Sequence, residues 1–325
     1  MNQNHTVASL FAGIGGIDLA FEQAGFAEVY ANDIDKDCAI TYNANHKIKL
    51  VVDDICNIRA KDIPTTTVLA GGFPCQAFSI AGYKKGFEDE RGTLFFQIAR
   101  LLRELKAENR LPKVVFLENV KNLYGHDSGN TFRKIKDILE NEIGYFITEN
   151  VLNTCEYGNT PQNRERIYII GFLKEDQKMA FKWPKPIQLT NTIDKVIDWD
   201  KPVDKQFYYT KAMKCFPLIE ANVKNKHSIY QYRRVYVREN KSGVCPTLTA
   251  NMGMGGHNVP LIVDNFGNIR KLTPNECLRL QGFPKDFILP KELPNSKIYK
   301  QAGNSVSVSV IKRLADEILR VLNEH

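Results

Sequence analysis

Over its first 173 residues the chain alternates short apolar runs with segments of helical periodicity, and few folds accommodate that rhythm. Thr6-Val7-Ala8-Ser9-Leu10-Phe11 reads as a first strand, residues 17–24 as a helix, Glu28-Val29-Tyr30-Ala31 as a second strand and residues 36–45 as a helix. Lys49-Leu50-Val51-Val52, Val68-Leu69-Ala70 and Val114-Val115-Phe116-Leu117 follow as strands. Leu94, Ile98, Leu101, Leu102 and Leu105 mark a helix between the last two. A helix is predicted over 131–139 and a later strand at Ile167-Tyr168-Ile169-Ile170. Strands that are apolar throughout are covered on both faces, and helices returning between them imply parallel neighbours. The expected class is α/β, a doubly wound and mainly parallel sheet.

The rhythm stops after Lys174. From there to about residue 270 the pattern is irregular and holds both tryptophans, Trp183 and Trp199. Residues 177–271 carry 16 Lys and Arg against 7 Asp and Glu, so the remainder of this +7 chain is slightly acidic. Basic charge concentrated in one segment points to a polyanionic partner there, with a solvated lysine-rich surface as the alternative. Apolar periodicity returns at Val306, Val310, Leu314, Ile318 and Leu322, one face of a terminal helix. The expected organisation is a first domain over 1–176, a smaller irregular, β-rich domain over 177–271, and a segment over 272–325 returning to the first.

At 43% hydrophobic and 25% charged, the composition is that of an ordinary globular protein. No run approaches the roughly 18 uninterrupted apolar residues of a membrane span, and Met1-Asn2-Gln3-Asn4-His5 lacks the features of a signal peptide. The 7 cysteines form no C-x-x-C pair, so neither a metal site nor a disulfide framework is expected, and a reducing cytoplasm fits.

Chemistry in such a sheet gathers where strands end. Gly72-Phe73-Pro74-Cys75-Gln76 follows an apolar strand, and the proline restricts where the thiol of Cys75 points. That makes Cys75 a candidate nucleophile, against the alternative of a buried structural thiol. Phe11-Ala12-Gly13-Ile14-Gly15-Gly16 is a glycine-rich turn between strand and helix. Asp33 and Asp54 close the next two strands; together the three features suggest an adenosine-containing cofactor, although each aspartate could instead cap a helix or turn. Glu118 follows four apolar residues, where burial raises a carboxyl pKa and equips it to hold a proton; a nearby cation is the alternative partner. Gln162-Asn163-Arg164-Glu165-Arg166 offers two arginines for phosphates, a thiolate or Glu118.

The order Phe-x-Gly-x-Gly, Pro-Cys-Gln, Glu-Asn-Val, Gln-x-Arg-x-Arg and Gly-Asn-Ser-Val resembles the C5-cytosine DNA methyltransferases, over residues 6–173 and 270–325. The resemblance implies a Rossmann-like methyltransferase fold using S-adenosylmethionine, released as S-adenosylhomocysteine, with 177–271 as the target-recognition domain. It assigns Cys75 as the nucleophile toward cytosine C6, Glu118 as the contact to N3 and the exocyclic amine, and Arg164 and Arg166 to orienting base and phosphates. It places the cofactor at Phe11, Gly13, Gly15, Asp33, Ile34, Asp54, Ile55, Pro74, Leu94 and Asn304. Phe73, Gln76, Ser79, Arg91 and Thr247 fall on the substrate side, with 76–92 as a closing loop. Arg233, Arg234 and Arg238 are candidates for guanine contacts, because arginine pairs with O6 and N7. Asp33 stands where a glutamate is usual, Ile34 where an aromatic is common, and Asp53 where the family has glycine. The implied partner is double-stranded DNA, bound by a monomer, with room for a cognate restriction endonuclease acting without a stable complex. A tRNA methyltransferase, a non-catalytic DNA-binding relative and a nicotinamide-linked oxidoreductase are the competing readings. The last leaves Pro74-Cys75-Gln76 unexplained.

Overall fold

The computed structural model describes residues 5–73, 94–254 and 258–325. Pro74, Cys75, Gln76, Ser79 and Arg91, with the rest of the expected closing loop, lie outside the described residues. Two compact units are formed.

The first unit draws on Met1–Leu152, Glu165–Lys185 and Val310–His325. Its sheet is built from β1 (Thr6–Leu10), β2 (Ala27–Asp33), β3 (Val51–Val52), β4 (Val68–Gly72), β5 (Val114–Val120), β6 (Phe146–Asn153) and, after the short β7 (Gln162–Asn163), β8 (Glu165–Phe172). The order is β3-β2-β1-β4-β5-β8-β6, with β1 to β5 mutually parallel where they pair and β8 antiparallel to β5. This is the expected α/β class.

The central strands were legible because they are buried along nearly their whole length: Val114, Val115, Phe116 and Leu117 have at most 1% exposure. The helix Leu94–Ala107 buries Phe95, Ile98, Leu101, Leu102 and Leu105 in the same core. Each such fully buried side chain stabilises the fold by about 1.5–3 kcal/mol. β6 was not anticipated. It lies at the end of the sheet, its sequence FITENVLN is half polar, and several of its residues are only partly buried. Because β1, β2, β3, β4 and β5 are parallel, their carboxyl ends share one rim, where functional side chains of such sheets collect.

The second unit comprises Asn153–Arg164 and Pro186–Ser309. It contains β9 (Ile229–Tyr232), β10 (Val237–Asn240), β11 (Cys245–Pro246), β12 (Leu261–Val263) and β13 (Ile269–Lys271). A four-stranded antiparallel sheet runs β10-β9-β12-β13 over a small core of Ile219, Val223, Tyr230, Leu261, Val263 and Ile269. The boundaries differ from the expected ones. Asn153–Arg164 joins the second unit because β7 pairs with β11. Residues 272–309 also lie there, and only Val310–His325 returns to the first unit. One tie that holds 272–309 is ionic: Arg270 on β13 grips Glu276 through two contacts of 2.8 Å, both side chains fully buried. Glu276 also closes a capping box with Thr273 at the start of the helix Pro274–Arg279. Among the described residues no helix is long and apolar enough to cross a membrane.

Candidate active site

At the end of β1 the chain turns through Phe11 (φ +55°), Gly13 (φ +57°) and Gly15 (φ +84°) into the helix α1 (Gly16–Gln23). Positive φ is accessible to glycine without strain, which is why this turn is glycine-rich. Among the described residues a Cβ on Gly13 would meet nothing within 4 Å, which leaves the turn open there. Its amide donates to Asp33 Oδ2 at 2.8 Å, while Asp33 Oδ1 accepts from Asp35 N at 2.9 Å. Burial raises the pKa of the Asp33 carboxyl, and these two hydrogen bonds oppose the rise.

Next to it, Ile34 is 65% exposed, an apolar side chain left open at the rim. After β3, Asp53 is spent on its own turn, accepting from Asp54 N and Asn57 Nδ2. Half-buried Asp54 takes Cys56 N on Oδ1. Ile55 is 4% exposed and packs in the apolar core, with its carbonyl bound by Arg100. Leu94 packs against that core from the first turn of its helix. An open glycine turn flanked by two strand-end carboxylates and an exposed apolar side chain fits an adenosine group.

Glu118 is 7% exposed near the end of β5, where it pairs across β4 with Gly72 and across β8 with Tyr168. Arg166 on β8 sets its Nε 3.1 Å from Glu118 Oε1, with both side chains largely buried. The antiparallel β5–β8 register creates this pair. Asn119, which the motif reading passed over as a site residue, donates its amide to the Phe73 carbonyl at 2.8 Å. It thereby fixes the residue immediately before Pro74-Cys75. The only signal in the sequence was its place in Glu-Asn-Val. A carbonyl has two lone pairs, so the Phe73 oxygen can accept from a second donor as well as from Asn119.

Arg164 does not join Arg166. It belongs to the second unit, is 3% exposed, and its guanidinium binds the carbonyls of Leu248, at 2.9 Å, and Ser305. The backbone leaves β7 before β8 begins, which sends the two arginines to different surroundings. There Gln162, quoted in the Gln-x-Arg-x-Arg motif but given no role, accepts from Leu248 N and donates to Leu280 O and Gln281. Thr247 donates to Asn163 O at 2.7 Å. Asn304, exposed, ends the helix Asn295–Asn304 of this unit. The adjoining Gly303 is required by a close approach: a Cβ there would fall 2.1 Å from the Thr249 carbonyl carbon.

The three candidate arginines of the basic segment are exposed on one hairpin. Tyr232 pairs with Val237, so Arg233, Arg234, Val235 and Tyr236 form its tip. Arg233 N donates to Tyr236 O at 2.8 Å, Arg234 takes φ +63°, and Val235 is 81% exposed. Arg238 lies on β10, opposite Gln231.

A sequence model of the family described as C-5 cytosine-specific DNA methylase matches residues 5–320. The type II methyltransferase M.Bsp6I of Bacillus sp. (strain RFL6) is 55% identical over 318 residues, 97% of this chain and 98% of that protein. M.HhaI of Haemophilus parahaemolyticus is 40% identical over 329 residues, 97% and 94% of the two chains. Among solved structures, the Entamoeba histolytica methyltransferase EhMeth superposes with a TM-score of 0.74 at 22% identity, covering 99% of each chain. A Spodoptera frugiperda DNMT2 variant gives 0.73 at 20%, covering 97% and 99%. At those identities the structural likeness speaks for the fold.

Proposed function

The chain belongs to the C-5 cytosine-specific DNA methylases, and from that premise we propose that it methylates a cytosine flipped out of a short duplex site, through a covalent Cys75–C6 adduct. It is a DNA (cytosine-5-)-methyltransferase. The finer reading concerns how its residues carry the reaction. It rests above all on the buried Glu118–Arg166 pair beside Asn119, whose amide holds the carbonyl just ahead of Pro74-Cys75.

Cytosine C5 is too weak a nucleophile to take a methyl group unaided. On this reading the Cys75 thiolate adds to C6, and the electron pair of the C5–C6 double bond becomes available at C5. Glu118 faces N3 and the exocyclic amine and, in its protonated form, donates to N3 as negative charge develops there, while Arg166 holds the carboxyl group in place. The second lone pair of the Phe73 carbonyl accepts from the amine. Bound S-adenosylmethionine supplies an electrophilic methyl group and leaves as S-adenosylhomocysteine. Loss of the C5 proton and expulsion of the Cys75 thiolate restore the ring. The glycine turn would border the cofactor, with Asp33 to hold its ribose hydroxyls and Asp54 its adenine amine. Ile34 would offer the adenine an apolar contact that, lacking a π face, is weaker than an aromatic residue's.

The β9–β10 hairpin is the part of the second unit we assign to duplex DNA, with Arg233, Arg234 and Arg238 on base edges or phosphates. The relatives named type II methyltransferases support a place in a restriction–modification system. There the enzyme works as a cytoplasmic monomer beside an endonuclease with which it forms no stable complex. Transfer of a labelled methyl group to duplex DNA tests the mechanism, and Cys75→Ser abolishes it. Transfer that persists in that variant, or that favours tRNA over duplex DNA, overturns the reading.

A further inference from the structure

A buried ionisable cluster lies beneath the glycine turn, and the mechanism above leaves it unused. His46 follows α2 (Lys36–Asn45), and its side chain is 1% exposed. Its Nδ1 lies 2.8 Å from Glu28 Oε1 on β2, a carboxylate 5% exposed. The ring stacks on Tyr42 at 4.1 Å and 19°. Its other nitrogen is wedged against the turn itself: a Cβ on Gly15 would fall 2.0 Å from Nε2. Asp18 on α1 is fully buried close by and accepts from Tyr42 Oη at 3.3 Å.

Neither neutral tautomer suits this setting. With the proton on Nδ1, the Nε2 lone pair faces the Ile14–Gly15 backbone. With the proton on Nε2, the Nδ1 lone pair faces the Glu28 carboxylate. The imidazolium donates to Glu28 through Nδ1 and turns its second N–H toward the turn, where the buried Nε2 meets no hydrogen-bond partner among the described residues. Burial is the strongest single influence and opposes the charge. The hydrogen bond and charge of Glu28, the charge of Asp18 and the Ile14 backbone together raise the imidazole above its ordinary value. Burial pushes Asp18 up to about 6, with Glu28 adding and His46 opposing. The remaining acid on α1 near this cluster, Glu22, is held by Lys47.

We propose that His46 is a positioning residue for the cofactor: its imidazolium, paired with Glu28, packs tightly under Gly15 and holds the glycine turn in its binding shape. The proposal rests on the reading that the turn borders S-adenosylmethionine. Loss of the proton then loosens the turn and weakens binding. Ionisation of Asp18 acts the other way, because it favours the charged imidazole.

Calorimetric titration of the full chain with S-adenosylhomocysteine, which binds without turnover, tests this. The wild-type Kd is expected to rise about fivefold between about pH 6 and about pH 9, with the midpoint at which the His46 ring protons titrate by NMR. His46→Gln should bind with a Kd that is flat over this range. Glu28→Gln should move the midpoint to lower pH, and it decides the matter if His46→Gln does not fold. A flat wild-type profile, a wild-type slope retained in His46→Gln, or a midpoint unmoved in Glu28→Gln overturns the proposal while the cofactor reading stands. Absence of binding by the wild type at every pH overturns the cofactor reading, and this proposal with it.

Discussion

The strand-end rim of the first unit and the β9–β10 hairpin of the second hold their charges in opposite ways. On the rim, Glu118 and Arg166 are buried against each other, Asp33 is bound by two backbone amides and Asn119 fixes Phe73. On the hairpin, Arg233, Arg234 and Arg238 are exposed around an open tip. A reacting atom has to be met to within a fraction of an ångström, and buried, mutually satisfied groups supply that. Target contacts tolerate solvated side chains that settle on the DNA, because phosphate attraction acts over a longer range. On the proposed function, chemistry falls where the side chains are already held and sequence reading where they are free to adjust.

The sharpest way to break the comparison is to unpair the rim. Glu118→Gln keeps shape and loses the acidic proton, and should lower kcat by about 10²–10⁴ with little change in DNA affinity. Arg166→Ala leaves Glu118 buried without its cation and should also destabilise the first unit by about 3–5 kcal/mol. Steady-state kinetics with denaturant melts separate the two effects, and an unchanged kcat in Glu118→Gln would remove the rim from the chemistry.

The second unit has a rigid part of its own, away from the hairpin. Gly303→Ala drives a methyl group into the Thr249 backbone and should destabilise the protein by about 1–3 kcal/mol or more. A thermal scan in which the variant melts with the wild type would mean that this close approach gives way freely.

On the hairpin, Arg234→Ala should weaken duplex binding by about 1–3 kcal/mol without touching the melting temperature. If Arg234 meets a base, discrimination between sites relaxes. If it meets a phosphate, affinity falls evenly across sequences and the salt dependence becomes shallower. A loss of thermal stability instead would show the hairpin to be as fixed as the rim.

The smallest effect concerns Asp18. Its carboxyl is raised by burial from 3.8 to about 6, so the folded state holds a proton that the unfolded state releases. Stability linked to this group is present below about pH 4 and declines as pH rises toward about 6, by at most about 3 kcal/mol. Asp18→Asn should flatten that part of the stability–pH curve, as read from urea midpoints.

How much of this was legible followed physical lines. Val114 to Leu117 announced themselves because a strand covered on both faces is apolar at every position. β6 did not, because an edge strand with partly exposed faces carries Thr, Glu and Asn like any loop. Cys75, Glu118 and the glycine turn were legible as motifs, since their spacing is local. Arg164 and Arg166 looked equivalent in sequence, and the gap between β7 and β8 gave one a carbonyl cradle and the other a carboxylate. Gln162, Asn119 and His46 carried no signal beyond their neighbours.

By itself the sequence determined the order of the motifs, the glycine-rich turn after the first strand and the Glu-Asn-Val segment at a strand end. Tertiary structure alone decided which cation meets Glu118, which amide holds Phe73 and which ring lies under Gly15. Those contacts join residues far apart in the chain, and they depend on sheet register and on distances that no local run of residues encodes.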